Sequence, residues 1–143
     1  MSQALLRCVL IEDEWLASER LHRLLLQTDD YIEVVAQLGS VAQARRWFAQ
    51  GKPVDLIFAD VQLADGLCFE IFGPNRPPAP LVLTTSYEAD TLSAFMSSRS
   101  AYLRKPIKRS ELQATMSQIR ANQFNTSALP FINRIKTLLA KLR

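Results

Sequence analysis

Five short apolar runs alternate along the chain with stretches in which apolar side chains recur at helical spacing. The runs lie at residues 8–11, 32–38, 55–59, 81–85 and 101–104. The predicted helices lie at residues 15–27, 40–50, 68–72, 91–98 and from 110 onward. Short apolar runs bounded by turn residues are typical of buried parallel strands. The alternation predicts repeated βαβ units and therefore an α/β fold.

Two patterns indicate where a helix begins and where the domain ends. Ser40 followed by Gln43 has the spacing of a capping box, which predicts that a helix opens there. The polar segment 122–127 indicates a linker, and Pro130 suits the first turn of a final helix. We expect one domain over residues 1–123, followed by a linker and a C-terminal helix over residues 124–143. The apolar stripe of that helix packs either on its own domain or in an intersubunit seam, and the pattern leaves both open.

Composition and charge narrow the class of protein. A chain of 143 residues can bury a core without a metal ion or disulfides. No apolar stretch reaches the roughly 18 residues of a membrane span, and two cysteines are too few for a disulfide scaffold, so we expect a cytoplasmic protein. Residues 1–103 carry a net charge of −5 and residues 104–143 a net charge of +8. The basic end is compatible with nucleic acid nearby or with a solvated helix surface.

Three of the apolar runs end in polar residues that suit a single phosphate site. Glu12 and Asp13 follow the first run, Asp60 follows the third, and Lys105 follows the fifth. The carboxyl ends of parallel strands emerge at one edge of the sheet, which is where ligands bind in open α/β folds. A carboxylate can act as a nucleophile, oxygen ligands suit Mg²⁺, and a lysine can pair with phosphate. The pattern predicts a site for a divalent cation and a phosphoryl group.

These residues, in this order, resemble the receiver domain of two-component response regulators over roughly residues 5–123. The matching elements are Glu12-Asp13 after the first strand, Asp60 after the third, Thr85-Ser86 after the fourth and Lys105-Pro106 after the fifth. The segments 11–14, 60–66, 69–72 and 84–87 are most similar to the LytTR (LytR/AlgR-type) branch. The resemblance implies a flavodoxin-like (CheY-like), doubly wound five-stranded parallel sheet of order 2-1-3-4-5 in an α/β/α three-layer sandwich.

The resemblance also implies a role for each acidic residue of the site. Asp60 would be the phosphoacceptor, and Mg²⁺ (or Mn²⁺) would be bound directly by Asp13 and Asp60 and through water by Glu12. The backbone carbonyl of Gln62 would complete the protein ligands. Gln62 and Tyr87 stand at the positions that tune the lifetime of the phosphoryl group in this family. Their opposing effects leave that lifetime open.

The remaining site residues are assigned in the same way. Lys105 would place its ammonium group over the phosphate, after a cis peptide bond between Lys105 and Pro106. The hydroxyl of Thr85 would donate to a phosphoryl oxygen, and Tyr102 would turn inward when that threonine moves. Thr85 and Tyr102 would then form a two-state switch that is biased by a local change of charge.

A regulatory switch, not an enzyme, is the function that the resemblance implies. The domain would accept a phosphoryl group from a sensor histidine kinase and carry only intrinsic autophosphorylation and autodephosphorylation chemistry. A hydrolase of the same fold would need an aspartate two residues after Asp60, where Gln62 stands. A flavin- or nucleotide-binding module of the flavodoxin type would need a glycine-rich loop, and the chain has only four glycines.

The output of the switch is inferred from the resemblance alone. Full-length members of the LytTR branch carry a DNA-binding domain after the receiver, and residues 124–143 are too short to be one. We expect a transcriptional regulator that contacts DNA only through that absent output domain and does not contact a membrane. The alternative is a stand-alone receiver that acts through protein contacts. Homodimerisation through the fourth helix, fifth strand and fifth helix is implied as well.

Overall fold

The computed structural model describes residues 4–86 and 102–121. The predicted helix at 91–98, Tyr87, the linker at 122–127 and the final helix lie outside the described residues. The predicted homodimer face includes the helix at 91–98, so part of that face lies outside them too. In the part of the chain that is described, no helix combines the length and the apolar character needed to cross a membrane.

A parallel sheet forms the centre of the fold. The described residues form seven strands: β1 (Leu6–Ile11), β2 (Ile32–Leu38), β3 (Leu56–Asp60), β4 (Gln62–Leu63), β5 (Gly66–Leu67), β6 (Leu81–Thr85) and β7 (Tyr102–Arg104). Five of them make one sheet in the order β2-β1-β3-β6-β7, in which every neighbouring pair is parallel. This order confirms the predicted 2-1-3-4-5 topology. β4 and β5 form a separate antiparallel hairpin.

Helices cover both faces of the sheet, which confirms the predicted three-layer sandwich. They are α1 (Trp15–Thr28), α2 (Val41–Phe48), α3 (Arg109–Arg120) and a 3-10 helix, Cys68–Ile71. One buried cluster packs α1 and α3 against the sheet, and a second packs α2 and the 3-10 helix against the other face. β3 is buried along its whole length between the two clusters, which explains why its sequence is an unbroken apolar run before Asp60.

The start of α2 is held by two side chains, only one of which the sequence predicts. Ser40 Oγ accepts a hydrogen bond from the backbone N–H of Gln43 at 3.0 Å, as the capping-box spacing indicates. Asp65, in the turn of the β4–β5 hairpin, accepts from the first two N–H groups of the helix at 2.8 and 3.1 Å. These bonds lower the pKa of Asp65. They also tie the segment that follows Asp60 to α2.

Arg120, at the end of α3, fastens that helix to the loop between α1 and β2. Its guanidinium contacts both carboxylate oxygens of Asp29, at 2.7 and 2.9 Å, and donates to the carbonyl oxygens of Tyr31 and Ala4. The two charged side chains are only 16% and 7% exposed. Burial alone would raise the pKa of Asp29, but the hydrogen bonds from Arg120 and from the Tyr31 N–H outweigh it, so the pKa is lowered.

We expect Arg120→Met to lower the free energy of unfolding at neutral pH by about 1–3 kcal/mol, because Asp29 would lose charged donors in a mostly buried place. The lowered pKa of Asp29 means that this contribution is present above the ordinary aspartate value of 3.8 and is lost as the pH falls below it. Urea unfolding at several pH values measures the effect. Arg109→Met is the matched control, since Arg109 is exposed and, among the described residues, bonds only the Gln27 carbonyl, at 3.5 Å. Equal losses in the two variants would contradict the expectation.

Candidate functional site

The site residues stand at the carboxyl ends of three strands of the sheet. Glu12 follows β1, Asp60 ends β3, and Lys105 follows β7. Backbone bonds continue the ladder one step past the strands: Glu12 N–H donates to Leu38 at 2.9 Å, and Lys105 N–H donates to Thr85 at 2.7 Å. The positions from which these side chains leave the sheet are therefore fixed by the same hydrogen bonding that forms it.

The ammonium group of Lys105 joins two carboxylates. Lys105 Nζ donates to Glu12 Oε2 at 2.6 Å and to Asp60 Oδ2 at 2.8 Å. The other carboxylate oxygen of Asp60, Oδ1, accepts from the backbone N–H of Gln62 at 3.2 Å. Both oxygens of Asp60 are thus held, one by a charged donor and one by the chain that follows it. The side chains of Glu12 and Asp60 are 7% and 12% exposed, so the pair sits at the surface with only a narrow opening to solvent.

Three carboxylates converge at this point. One ligand oxygen from each of Glu12, Asp13 and Asp60 lies within 4.8 Å of the others. Glu12 and Asp60 are buried, whereas Asp13 is exposed. Carboxylate oxygens are the donors that Mg²⁺ prefers, and one or two carboxylates with a phosphate commonly hold it in proteins. The donor set fits a hard divalent cation, which would offset the repulsion between these acids and an incoming phosphoryl group.

Burial and proximity shift the pKa values of the two groups that face Asp60. Burial, together with the nearby charge of Asp60, raises the pKa of Glu12 to about 7 against the opposing effect of Lys105. Burial alone would lower the pKa of Lys105, but its hydrogen bonds to Asp60 and Glu12 outweigh burial and raise it. Lys105 therefore keeps its proton over the whole physiological range, and Glu12 is the acid whose charge depends on what else occupies the site.

Without divalent metal, we expect the free energy of unfolding to fall as the pH rises from about 5 to about 8. The pKa of Glu12 is raised above its ordinary value of 4.5 in the folded protein, so its contribution is present below that value and lost as the pH rises through about 7. The loss is on the order of 1–3 kcal/mol. Denaturation in a chelating buffer measures it. Glu12→Gln should flatten this part of the curve, and an unchanged slope in that variant would rule out Glu12 as its source.

The two residues predicted to form the switch share one face of the sheet. Leu83 pairs with Tyr102 across β6 and β7, and Thr85 lies two residues beyond Leu83. Side chains two residues apart in a strand point the same way, so Thr85 and Tyr102 project to the same side. Thr85 is 1% exposed, and Tyr102 packs half-buried against the core formed with α2. The peptide bond between Lys105 and Pro106 is cis, as the resemblance implies.

The sequence predicts only a loop after Asp60, but the structure has the β4–β5 hairpin there. Its two-residue turn is Ala64-Asp65, and Gly66 begins β5. The dipeptide Asp65-Gly66 is a turn signal that could have indicated the hairpin. Gly66 has a φ of +149°, and a Cβ there would lie 2.0 Å from Glu70 Oε2. That oxygen accepts from the N–H of Leu67 at 2.6 Å. The positive φ favours glycine at this position, and a side chain there would also displace the Glu70 carboxylate from Leu67 N–H.

Comparison with known proteins places the chain among regulatory proteins. No family model matches it. The sensory transduction protein LytT of Bacillus cereus is 30% identical over 120 residues, and the transcriptional regulatory protein BtsR of Salmonella typhi is 31% identical over 119; each match covers 81% of this chain and 48% of the relative. The DNA-binding transcriptional activator DevR/DosR of Mycobacterium tuberculosis is 32% identical over 125 residues, covering 83% of this chain and 55% of that protein. The chain therefore spans about half the length of the curated relatives that it matches.

Solved structures agree with this placement. The receiver domain of the PhyR response regulator of Erythrobacter litoralis has 26% identity and a TM-score of 0.64, covering 81% of this chain and 90% of that one. The receiver domain of NarL from Mycobacterium tuberculosis, at 18% identity and a TM-score of 0.64, covers 82% of this chain and 98% of its own, and shows the fold alone. Fold and relatives together define an α/β signalling domain. More narrowly, the chain belongs to the receiver domains of response regulators.

Proposed function

We propose that this receiver domain accepts a phosphoryl group on Asp60 from a sensor histidine kinase and changes conformation in response. The observation that carries the proposal is the double contact of Lys105 with Glu12 and Asp60, at 2.6 and 2.8 Å, inside a cluster of three carboxylates. An ammonium group has three N–H donors, and two of them are bonded to Glu12 and Asp60. One donor is left that could pair with a phosphoryl oxygen bound to Asp60.

The chemistry proposed for Asp60 is nucleophilic transfer. One of its carboxylate oxygens forms a bond to phosphorus while the bond between phosphorus and the donor nitrogen or oxygen breaks. The leaving group keeps the electron pair of the broken bond, and Asp60 becomes an acyl phosphate. Lys105 is already within hydrogen-bonding distance of that carboxylate and would pair with a phosphoryl oxygen. A Mg²⁺ ion, held by Asp13, Asp60 and the Gln62 carbonyl and through water by Glu12, would supply charge neutralisation when bound.

A small-molecule phosphodonor tests the proposal without the partner kinase. The protein should gain one phosphoryl group when it is incubated with acetyl phosphate and Mg²⁺, and a chelator should prevent the gain. The modification should be lost on treatment with base, as expected of an acyl phosphate. Steady turnover of a generic phosphomonoester would favour a hydrolase instead. Failure to take up phosphate with metal supplied would count against a phosphorylated switch altogether.

A protein, rather than a metabolite, is the proposed physiological donor. Trp15 and Leu16, in the first turn of α1, are 62% and 75% exposed and follow directly after the acidic segment of the site. Large apolar side chains exposed next to a reactive carboxylate suit a docking partner. A phosphotransfer profile against purified sensor histidine kinases tests this. One kinase should transfer to this domain much faster than the others, and uniformly slow transfer from all of them would contradict it.

The proposed response to phosphorylation uses the shared face of β6 and β7. The Thr85 hydroxyl would move toward the phosphoryl group, and the half-buried ring of Tyr102 would occupy the space that it leaves. Gln62 and Tyr87 would set how long the phosphoryl group survives. Comparing ring-proton relaxation of Tyr102 with and without beryllofluoride, a phosphoryl mimic, tests the coupling. If the ring-proton relaxation of Tyr102 is the same with and without beryllofluoride, Tyr102 is not part of the switch.

For the whole protein we propose a cytoplasmic transcriptional regulator of the LytTR type. LytT, BtsR and DevR/DosR are named as sensory or transcriptional regulators, and this chain matches only about half of each of them. Both facts support an output domain beyond the receiver at residues 1–123. Residues 124–143 would connect the two. DNA would be contacted only through that output domain, so a specific electrophoretic shift by this chain alone would contradict the proposal. The alternative is a stand-alone receiver that works through protein contacts, and the reading frame after Arg143 distinguishes the two.

Homodimerisation would transmit the signal to that output domain. The proposed face consists of β7, α3 and the helix predicted at residues 91–98, which lies outside the described residues. Sedimentation with and without beryllofluoride tests it, and a mass that stays monomeric under both conditions would exclude phosphorylation-dependent assembly.

A further inference from the structure

The segment that carries Lys105 borders an open cleft on the side that faces α1. The cleft, of about 290 Å³, lies between the first turns of α1 and residues 105–107. Its walls are mostly apolar, with Leu16, Ala17 and Leu21 on α1 and Pro106 and Ile107 on the opposite side. Ile107 is buried in the same core cluster as Leu21 of α1, which anchors the end of the segment. Lys105 and the exposed Pro106 border the cleft instead, so packing against α1 does less to hold them.

One polar contact crosses this gap. Arg20 Nη2, on α1, donates to the carbonyl oxygen of Ile107 at 2.9 Å. Lys105 is fixed on its other side by the bond from its N–H to the Thr85 carbonyl. Among the described residues, no other side chain bonds the backbone of residues 105–107. Arg20 thus ties the helix that follows Glu12 to the loop that follows Lys105.

We propose that Arg20 is a positioning residue for Lys105, holding the 105–107 segment across the cleft so that the ammonium group stays between Glu12 and Asp60. The inference rests on the proposed function for its consequence, the acceptance of a phosphoryl group, but its geometry stands apart from that. Without the Arg20 bond, Lys105 and Pro106, which border the cleft, are less restrained. A displacement of about 1 Å at a reacting centre is enough to slow a reaction severely.

The chemical reactivity of the Lys105 amine tests the positioning directly. Arg20→Ala should raise the rate at which acetic anhydride modifies Lys105, read by peptide mass spectrometry, by severalfold relative to wild type. Arg20→Lys keeps a donor and should restore part of the protection. Arg23→Ala is the matched control, because Arg23 is an exposed arginine of the same helix whose side chain bonds none of the residues at 4–86 and 102–121. Equal rates in the Arg20→Ala and Arg23→Ala proteins would overturn the inference.

Phosphorylation by acetyl phosphate supplies the second readout. We expect Arg20→Ala to slow it roughly tenfold, with no change in thermal midpoint relative to Arg23→Ala. In a Lys105→Met background, Arg20→Ala should have no further effect, since there is no ammonium group left to position. An equal slowing in both backgrounds would show that Arg20 acts through the general fold and would overturn the inference.

Lys105 reactivity and phosphorylation together distinguish a failure of the proposed function from a failure of the inference about Arg20. If wild type takes up no phosphoryl group while Lys105 reactivity still rises in Arg20→Ala, the positioning is correct and the proposed function fails. If wild type is phosphorylated and neither readout responds to Arg20, the proposed function stands and the inference fails.

Discussion

Asp60→Asn should accept no phosphoryl group from acetyl phosphate and Mg²⁺ while keeping its fold. Asparagine has the same shape, and its side-chain oxygen can still accept the bond from Gln62 N–H that is 3.2 Å long in wild type. An amide has no anionic oxygen with which to form an acyl phosphate. The variant also removes one charge from beside Glu12, so the pKa of Glu12, raised in part by Asp60, should fall. Phosphorylation should be lost and stability retained or increased.

Intact-mass spectrometry measures the uptake, and urea unfolding in a chelating buffer measures the stability. Asp55→Asn is the matched control. Asp55 lies just before β3, at the opposite end of the strand from Asp60, and pairs with Arg7 at 2.9 Å. That variant should be phosphorylated at the wild-type rate. Continued uptake by Asp60→Asn, with the modification mapped to Asp13, would show that the nucleophile had been assigned to the wrong carboxylate.

The site could be predicted from the sequence because strand ends follow from local patterns. The apolar run before Asp60 is unbroken because β3 is buried on both faces, and the carboxyl ends of parallel strands must meet at one edge. Those two facts bring Glu12, Asp60 and Lys105 together without any knowledge of loop structure. The distances of 2.6 and 2.8 Å then depend only on which rotamers the side chains adopt.

Features that depend on contacts between distant loops could not be predicted in the same way. Asp65 caps α2 across 24 residues of sequence, and Arg20 reaches Ile107 across 87. No periodicity encodes such pairs, because each depends on the path of an irregular segment. The end of α2 also could not be predicted to the residue. The pattern predicts a helix to residue 50, but α2 ends at Phe48, where the chain tightens toward Gly51 at a φ of +68°.

Replacing Lys105 with methionine should change metal binding and phosphorylation in opposite directions. Lys105→Met keeps most of the apolar length of the side chain but removes the cation that bridges Glu12 and Asp60. The ligand oxygens of the acidic cluster, within 4.8 Å of one another, would then repel without compensation. A divalent cation relieves that repulsion without competing with an ammonium group, so Mg²⁺ should bind roughly tenfold more tightly. Loss of a preorganised charged donor should slow phosphoryl uptake by about 10²–10³-fold.

Trp15 fluorescence during Mg²⁺ titration measures the affinity of Lys105→Met, and acetyl phosphate labelling measures the rate. Lys108→Met is the control, because Lys108 is an exposed lysine three residues further on and contacts neither carboxylate. It should leave both quantities unchanged. Since a partly unfolded protein would lose metal and phosphate together, opposite signs in one variant can arise only from the charge that was removed. Weaker Mg²⁺ binding by Lys105→Met would mean that Lys105 organises the cluster sterically, and its role as an electrostatic partner of the phosphoryl group would have to be abandoned.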